Sequence, residues 1–177
     1  ADPANAFVHE GWLFIRALAT GHNAPRFTSG RLESTSRAAF RYGRIEAHIK
    51  VPRHRGTWPA FWMLPEEWRF GGWPNSGEID IMEYVGCDPD NVHSTVHTAA
   101  YNHVLGTRRG ASLFRWDLDQ PRRYSVDWTP ERIVFSVEDQ VIFRFDNDGR
   151  NDPATWPFDE HFYIILNLAV GGTWGGF

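Results

Sequence analysis

Three acidic side chains lie close together near the middle of the chain: Glu78, Asp80 and Glu83. The isoleucines between them favour a β-strand. Alternate residues of a strand share a face, so Glu78 and Asp80 point the same way, whereas Glu83 would point to the opposite face. One extra residue in a β-bulge, at Ile81 or Met82, would return Glu83 to the face of the other two. The spacing therefore predicts a bulged strand with three carboxyl groups on one face.

Such a cluster can perform acid–base chemistry. Neighbouring carboxylates raise the pKa of one member, so that it keeps its proton near neutral pH. Cleavage of a glycosidic bond with retention needs this pairing, a charged nucleophile and a protonated acid roughly 5–5.5 Å apart. The alternative is an acidic strand that faces solvent.

Tryptophan is unusually frequent, with nine residues in 177. Trp58 and Trp62 are four apart and would share a strand face, and Trp73 shortly precedes the acidic segment. Flat aromatic rings suit the apolar faces of sugars. Aromatic platforms beside paired carboxyls favour a sugar-binding cleft over the solvent-facing strand.

The elements that position these residues are predicted to be strands. Apolar and polar residues alternate in 44–51, 133–137 and 141–145, with a polar hairpin turn at 138–140, and further strands are predicted in 12–17 and 162–168. No window of ten or more residues has helical periodicity with caps. The predicted loops are 20–27, 65–77, 99–113 and 146–160. The sequence predicts an all-β protein, most simply a two-sheet sandwich.

Composition excludes several classes of protein. The length of 177 residues suits one domain. A net charge of −4 gives no support to a nucleic-acid partner, and no apolar run is long enough to cross a bilayer. A single cysteine rules out an internal disulfide and a cysteine zinc site.

Histidines and arginines give weaker signals. His93 and His97 are four apart on a predicted strand, about 13 Å along it, which is too far for one metal ion. No metal site is therefore predicted. The pairs Arg108-Arg109 and Arg122-Arg123 are interpreted as solvated surface.

The residues named above resemble glycoside hydrolase family 16. Residues 78–83 match its E-x-D-x-x-E signature in the bulged form. The resemblance spans Asn5 to Gly176 and is closest to the laminarinase branch. The other segments that carry it, in the same order, are Tyr42–Ala47, Trp58-Pro-Ala-Phe-Trp-Met-Leu64, Gly72-Trp-Pro74, Thr95-Val-His-Thr98, Asp127-Trp-Thr-Pro130 and Asn167-Leu-Ala-Val-Gly-Gly172.

The resemblance implies a β-jelly-roll sandwich (concanavalin A-like) with an open cleft on its concave sheet. It implies that Glu78 is the nucleophile, that Glu83 is the general acid/base, and that Asp80 tunes and orients the pair. It places His97 in the cleft on the neighbouring strand. The sugar-binding residues that it implies are Trp58, Trp62, Trp73 and Trp174.

A loop at the edge of the cleft is expected to hold Asn102 and His103. Asn102 is a candidate substrate-binding residue, and ordinary loop polarity is the alternative interpretation. Compared with the family, we expect the chain, a single catalytic domain over 1–177, to lack the first and last strands. No cofactor is expected to be required. A structural calcium ion is left open, because the terminal strands that supply much of the family's calcium site are the ones expected to be missing.

The predicted activity is hydrolysis of internal β-1,3-glucosidic bonds by a secreted monomer that binds β-glucan. Another specificity of the family, for mixed-linkage glucan or a marine galactan, is an alternative. A non-catalytic β-glucan recognition protein is a second alternative, from a different functional class. The three acids favour the enzyme, because recognition proteins on this scaffold have lost them.

Overall fold

A computed structural model describes residues 2–21, 26–115 and 117–176. The described residues form β-strands joined by turns and loops, with one short helix. The strands are β1 (Ala6–His9), β2 (Trp12–Ile15), β3 (Leu18–Thr20), β4 (Arg26–Thr28), β5 (Arg31–Glu33), β6 (Ala39–Phe40), β7 (Gly43–Ile49), β8 (Thr57–Pro65), β9 (Glu78–Glu83), β10 (Asn91–His97), β11 (Arg109–Phe114), β12 (Arg122–Trp128), β13 (Arg132–Val137), β14 (Gln140–Asp146) and β15 (Phe162–Val170), and the helix is α1 (Gly172–Gly175).

Two antiparallel sheets make up the body of the molecule. The larger sheet has seven strands in the order β11-β10-β9-β8-β15-β5, and β6 also pairs with β15. The smaller sheet has the order β14-β13-β12-β7, and β1–β2 and β3–β4 form separate two-stranded sheets. The acidic strand β9 therefore lies in the interior of the larger sheet, paired on both sides.

The core lies between the two sheets. Met63 and Ile79 from the larger sheet and Tyr124 and Phe135 from the smaller one are fully buried in a single apolar cluster. Alternation along the strands produces this layer, because each strand turns every second side chain inward. The larger sheet is thus anchored on one face and leaves its other face free to form a site.

Trp128 connects the two sheets through the core. It is fully buried, its ring lies 5.5 Å edge-on from Phe162 of the larger sheet, and its indole Nε1 donates a hydrogen bond to the carbonyl of Phe158 at 3.1 Å. The indole polar group is thereby satisfied inside the core, as buried tryptophans require.

Most predicted elements are confirmed. The two-sheet all-β sandwich is present, the hairpin turn at 138–140 joins β13 to β14, and the only helix in the described part of the chain has four residues. The prediction of a loop over 99–113 is wrong for residues 109–113, because β11 begins at Arg109 and pairs with β10. The loop predicted at 20–27 is wrong at its ends, because Thr20 lies in β3 and residues 26–27 lie in β4. Residues 22–25 lie outside the described residues.

Candidate active site

A β-bulge in β9 brings the three acids onto one face. Against β10, Glu78 pairs with His97, Asp80 with Thr95, and Glu83 with His93. Two residues of β9 therefore lie opposite a single residue of β10 between Asp80 and Glu83. Against β8 the skipped residue is Ile81, because Trp62 pairs with Asp80 and Phe61 pairs with Met82. The bulge predicted at Ile81 or Met82 is confirmed.

The loop before β9 is held close to the core by Gly77. Its φ is +91°, and a Cβ there would lie only 2.9 Å from Pro157 and 3.0 Å from Phe158. The buried Ser76 hydroxyl also ties the loop, accepting from Phe70 N and donating to the Gly71 carbonyl. These constraints fix where the strand starts and where Trp73 lies.

Asp80 and His97 form the buried floor of the site. Their exposed fractions are 2% and 6%. His97 Nε2 lies 3.4 Å from Asp80 Oδ2 and 3.9 Å from Glu78 Oε1. Two neighbouring strands thus bring together the predicted site residues Glu78, Asp80, Glu83 and His97.

Two indole groups contact the outer carboxyls. Trp73 Nε1 donates to Glu78 Oε2 at 2.7 Å, and Trp58 Nε1 donates to Glu83 Oε1 at 3.1 Å. Each indole is a donor without acceptor capacity and therefore favours the charged form of its carboxyl.

Burial raises the pKa of the carboxyls. The pKa of Glu83 is raised to about 7, first by burial and then by the charge of Glu78, while the hydrogen bond from Trp58 opposes the rise. Burial, followed by the charges of Glu78 and Glu83, raises the pKa of Asp80 well above its usual range. The pKa of Glu78 is also raised by burial, but hydrogen bonds from Asp80 and Trp73 hold it down.

The histidine of the site is neutral near pH 7. Burial lowers the pKa of His97 to about 4, with the charges of His103 and Arg108 acting in the same direction. Burial therefore favours the protonated forms of Asp80 and Glu83, whereas the two hydrogen bonds on Glu78 favour its charged form. This division suits a nucleophile and a general acid.

A cleft of about 1060 Å³ surrounds the carboxyls on the free face of the larger sheet. Trp58, Trp62, Trp73 and Trp174 all line it. Alternation along β8 explains the first two, because Trp58 and Trp62 turn to the cleft while Phe61 and Met63 between and beside them turn to the core.

Trp62 is held as a rigid platform. Its Nε1 donates to Asn167 Oδ1 at 2.7 Å, and the guanidinium of Arg31 lies 4.8 Å from its ring centroid. A ring fixed in this way loses little freedom when a sugar stacks on it. Trp174, from α1, packs edge-on against Trp58 with ring centroids 5.1 Å apart.

Asn102 lies in a loop, as expected, but it does not face the substrate cleft. It is buried and does not line the cleft. Its amide nitrogen donates to the carbonyls of Thr98 and Ala99, and its oxygen accepts from Leu105 N. The prediction of substrate binding is corrected to a loop-holding role, because every hydrogen-bonding group of the amide is engaged by the backbone.

His103 was expected at the edge of the cleft, whereas the cleft position of Arg108 was missed by sequence reasoning. His103 lines the cleft, with its ring centroid 5.0 Å from that of Trp73, and Arg108 lines it as well. Arg109 lies over the Tyr101 ring at 4.7 Å. Both arginines are exposed, as predicted, but Arg108 also borders the cleft. Asn167 belongs to a family motif, but the sequence indicated no role for it. Its contact with Trp62 depends on the pairing of β15 with β8, which the structure shows.

The same cluster satisfies the spacing for a metal ion. One ligand atom each of Glu78, Asp80 and His97 lies within 4.8 Å of the others, and no second group of this kind occurs among the residues that the structure describes. His93, by contrast, contacts Asp88 at 3.2 Å and the ring of Trp174. His93 and His97 thus have separate surroundings.

Comparison with known proteins identifies the family. Residues 16–176 match the glycosyl hydrolases family 16. The chain belongs to this family. The acidic strand, the bulge and the tryptophan-lined cleft are therefore those of a family 16 domain, and the resemblance inferred from the motifs is confirmed.

Relatives in the family include named glucanases. The chain is 47% identical to the Beta-glucanase of Rhodothermus marinus, over 97% of this chain and 63% of the relative. It is 37% identical to the Glucan endo-1,3-beta-glucosidase of Cryptopygus antarcticus, over 98% of this chain and 68% of the relative. This chain thus spans about two thirds of the length of these two relatives.

The fold matches a solved structure closely. The laminarinase from Rhodothermus marinus superimposes with a TM-score of 0.94 at 46% identity, over 99% of this chain and 73% of that one. The expected jelly-roll architecture is confirmed by this match. Among the described residues there is no helix with the length and apolarity needed to span a membrane.

Proposed function

We propose that this chain carries the active site of a retaining endo-β-1,3-glucanase. The observation that carries the proposal is the bulged strand β9, which presents Glu78, Asp80 and Glu83 together in a cleft lined by tryptophans. The similarity to the laminarinase from Rhodothermus marinus and to the Glucan endo-1,3-beta-glucosidase of Cryptopygus antarcticus supports β-1,3-glucan as the substrate.

The mechanism assigns one role to each acid. Glu78 attacks the anomeric carbon while Glu83 gives its proton to the leaving glycosidic oxygen, which forms a glycosyl-enzyme. Glu83, now charged, takes a proton from water, and the resulting attack releases the sugar with its original configuration. Asp80 remains protonated beside Glu78 and orients it. The support for this division is the raised pKa of Glu83 and the two opposing hydrogen bonds on Glu78.

The direct test is the substitution Glu78→Ser. With laminarin as substrate, we expect release of reducing ends to fall on the order of 10³-fold or more, because the nucleophile is lost. Laminarin binding should persist, since the tryptophans remain. Glu46→Ser is the matched control, because Glu46 pairs with Arg44 on the exposed face of β7 in the other sheet. Wild-type turnover by Glu78→Ser would sink the assignment.

Substrate range and stereochemistry separate the remaining alternatives. Assays on laminarin, lichenan, agarose and carrageenan distinguish β-1,3-glucan hydrolysis from mixed-linkage glucan and galactan hydrolysis. Binding of laminarin without cleavage of any of the four would establish the recognition protein instead. NMR of the first product distinguishes retention from inversion, and an α-anomer formed first contradicts the retaining mechanism.

We further propose that the protein acts outside the cell and as a monomer. A polysaccharide substrate is too large to enter a cell, which supports a secreted enzyme. Strands, loops and α1 of one chain together line the cleft, which supports a monomer. Light scattering that gives the mass of one chain at every concentration, and glucanase activity in the culture fluid, are the expected results.

A further inference from the structure

The two outer carboxyls are each held by an indole from a different element. Trp73 lies in the loop before β9 and contacts Glu78, whereas Trp58 lies at the start of β8 and contacts Glu83. The cleft position of Trp58 fits a sugar-stacking platform. Its hydrogen bond to Glu83 suggests another role.

The ring of Trp58 is fixed from behind. Trp174 packs edge-on against it, and the ring of His93 in turn packs against Trp174, with centroids 5.0 Å apart. The thiol of Cys87 donates to the carbonyl of Trp174 at 3.0 Å. Contacts from β10, α1 and the segment after β9 therefore keep the Trp58 indole in one orientation.

We propose that Trp58 is a positioning residue for Glu83, whose indole N–H holds Oε1 and leaves Oε2 as the oxygen that transfers the proton. The proposal rests on the function proposed above. The chemical argument is that an indole only donates. The carbonyl oxygen of a protonated carboxyl is its better acceptor, so the hydrogen bond from Trp58 favours Oε1 as the carbonyl oxygen and Oε2 as the oxygen that carries the proton.

The same contact serves both halves of the reaction. When Glu83 has given up its proton, the Trp58 N–H stabilises the carboxylate that must next accept a proton from water. The tryptophan thus contributes through Glu83 and needs no contact with the sugar to affect the rate. Trp73 makes the equivalent contact with Glu78 and provides an internal comparison.

Kinetics of Trp58→Phe test this role, because phenylalanine keeps the aromatic packing and removes the donor. We expect kcat to fall about tenfold with little change in KM. The basic limb of the pH profile of kcat/KM should move up by about one pH unit, because loss of the hydrogen bond raises the pKa of Glu83. Trp73→Phe should move the acidic limb instead.

Trp68→Phe is the control, because Trp68 is an exposed tryptophan outside the cleft. It should move neither limb. If Trp58→Phe raises KM but moves neither limb of the pH profile, Trp58 is a sugar-stacking platform alone. That result would overturn the proposal.

A second measurement does not depend on hydrolysis. In ¹H–¹⁵N spectra of the indole groups, assigned by the Phe variants, the Trp58 resonance should shift as the pH passes through the ionisation of Glu83. The shift should disappear in Glu83→Gln. If the Trp58 resonance responds neither to pH nor to the Glu83→Gln substitution, the proposal is overturned, whatever the activity.

The two measurements also separate the two proposals. If the wild-type chain cleaves no glucan but the Trp58 resonance follows Glu83, the glucanase assignment fails and the positioning contact stands.

Discussion

Three carboxyl groups share one buried face of β9, and the protein stabilises them unequally. Burial and the charges of Glu78 and Glu83 raise the pKa of Asp80 well above its usual range, and the charge of Arg108 opposes the rise. Glu78 and Glu83 each accept one indole hydrogen bond. The difference between the outer pair comes from the further hydrogen bond between Asp80 and Glu78, which favours charge on Glu78.

This arrangement costs stability at high pH. The folded-state pKa of Glu83 is about 7, above the ordinary glutamate pKa of 4.5. A raised carboxyl pKa means that the folded state holds the proton more tightly, so the associated stability is present at low pH and is lost as the pH rises through about 7.

Glu83→Gln should therefore stabilise the protein at pH 8, by about 2 kcal/mol or about 5 °C in Tm. The gain should be much smaller at pH 5, where Glu83 is protonated in the folded state. Thermal melts of wild type and variant at both pH values measure the difference. Glu46→Gln, which removes an exposed carboxylate, should give no such gain. Equal gains for Glu83→Gln at pH 5 and pH 8 would contradict the linkage.

At the scale of single residues, the sequence predicts the acids better than their partners. The acids are spaced along one strand, so alternation plus one bulge is enough to place them. The contact of Trp73 with Glu78 depends on the path of the loop, and that of Trp58 with Glu83 depends on strand pairing. The place of Arg108 beside the cleft was missed because the strand that begins at Arg109 was predicted as loop.

At the scale of the element, β9 combines two strand registers. The pairing is regular before Asp80 and regular again from Met82, and Ile81 is the residue without an equivalent on β8. β9 pairs with β8 on one edge and with β10 on the other, and the bulge shifts the register of both pairings.

Deletion of Ile81 should remove the bulge without moving the acids to another face. The remaining order, with acids at alternate positions, fits a regular strand, and the pairing with β8 becomes continuous. We expect a folded protein with residual laminarin hydrolysis, reduced by the lost core side chain. Deletion of Ile79 is the matched control and should abolish activity, because Glu78 would then face the core. A folded but inactive Ile81 deletion would count against the bulge as the means of alignment.

At the scale of the whole molecule, the cleft depends on a sheet supported from behind. The apolar layer between the sheets holds the larger sheet in shape, and Trp128 is among the largest side chains within it. Period-two patterns predicted this sandwich because each face of a strand has one environment. They could not give the order of strands, which is set by contacts far apart in sequence.

Trp128→Ala should lower the free energy of unfolding by about 3–5 kcal/mol, because it opens a cavity and leaves the Phe158 carbonyl without its donor. The corresponding fall in Tm is about 10 °C, measured by thermal melts. Trp68→Ala, at an exposed position, should cost less than about 1 kcal/mol. A Trp128 variant as stable as the Trp68 variant would show that the core does not depend on this contact.

The single unmatched residue of β9 has an evolutionary consequence. One more codon inserted between Asp80 and Glu83 would give an even spacing of four, which a regular strand accommodates without a bulge. The proton donor would then stay on the cleft face but lie about 13 Å along the strand from Asp80, too far from Glu78 for the two to act on one bond, and every stacking tryptophan would remain in place. The product would be a lectin with the old ligand and no turnover. A hydrolase of this design is therefore one insertion away from a carbohydrate receptor, without the exchange of any side chain.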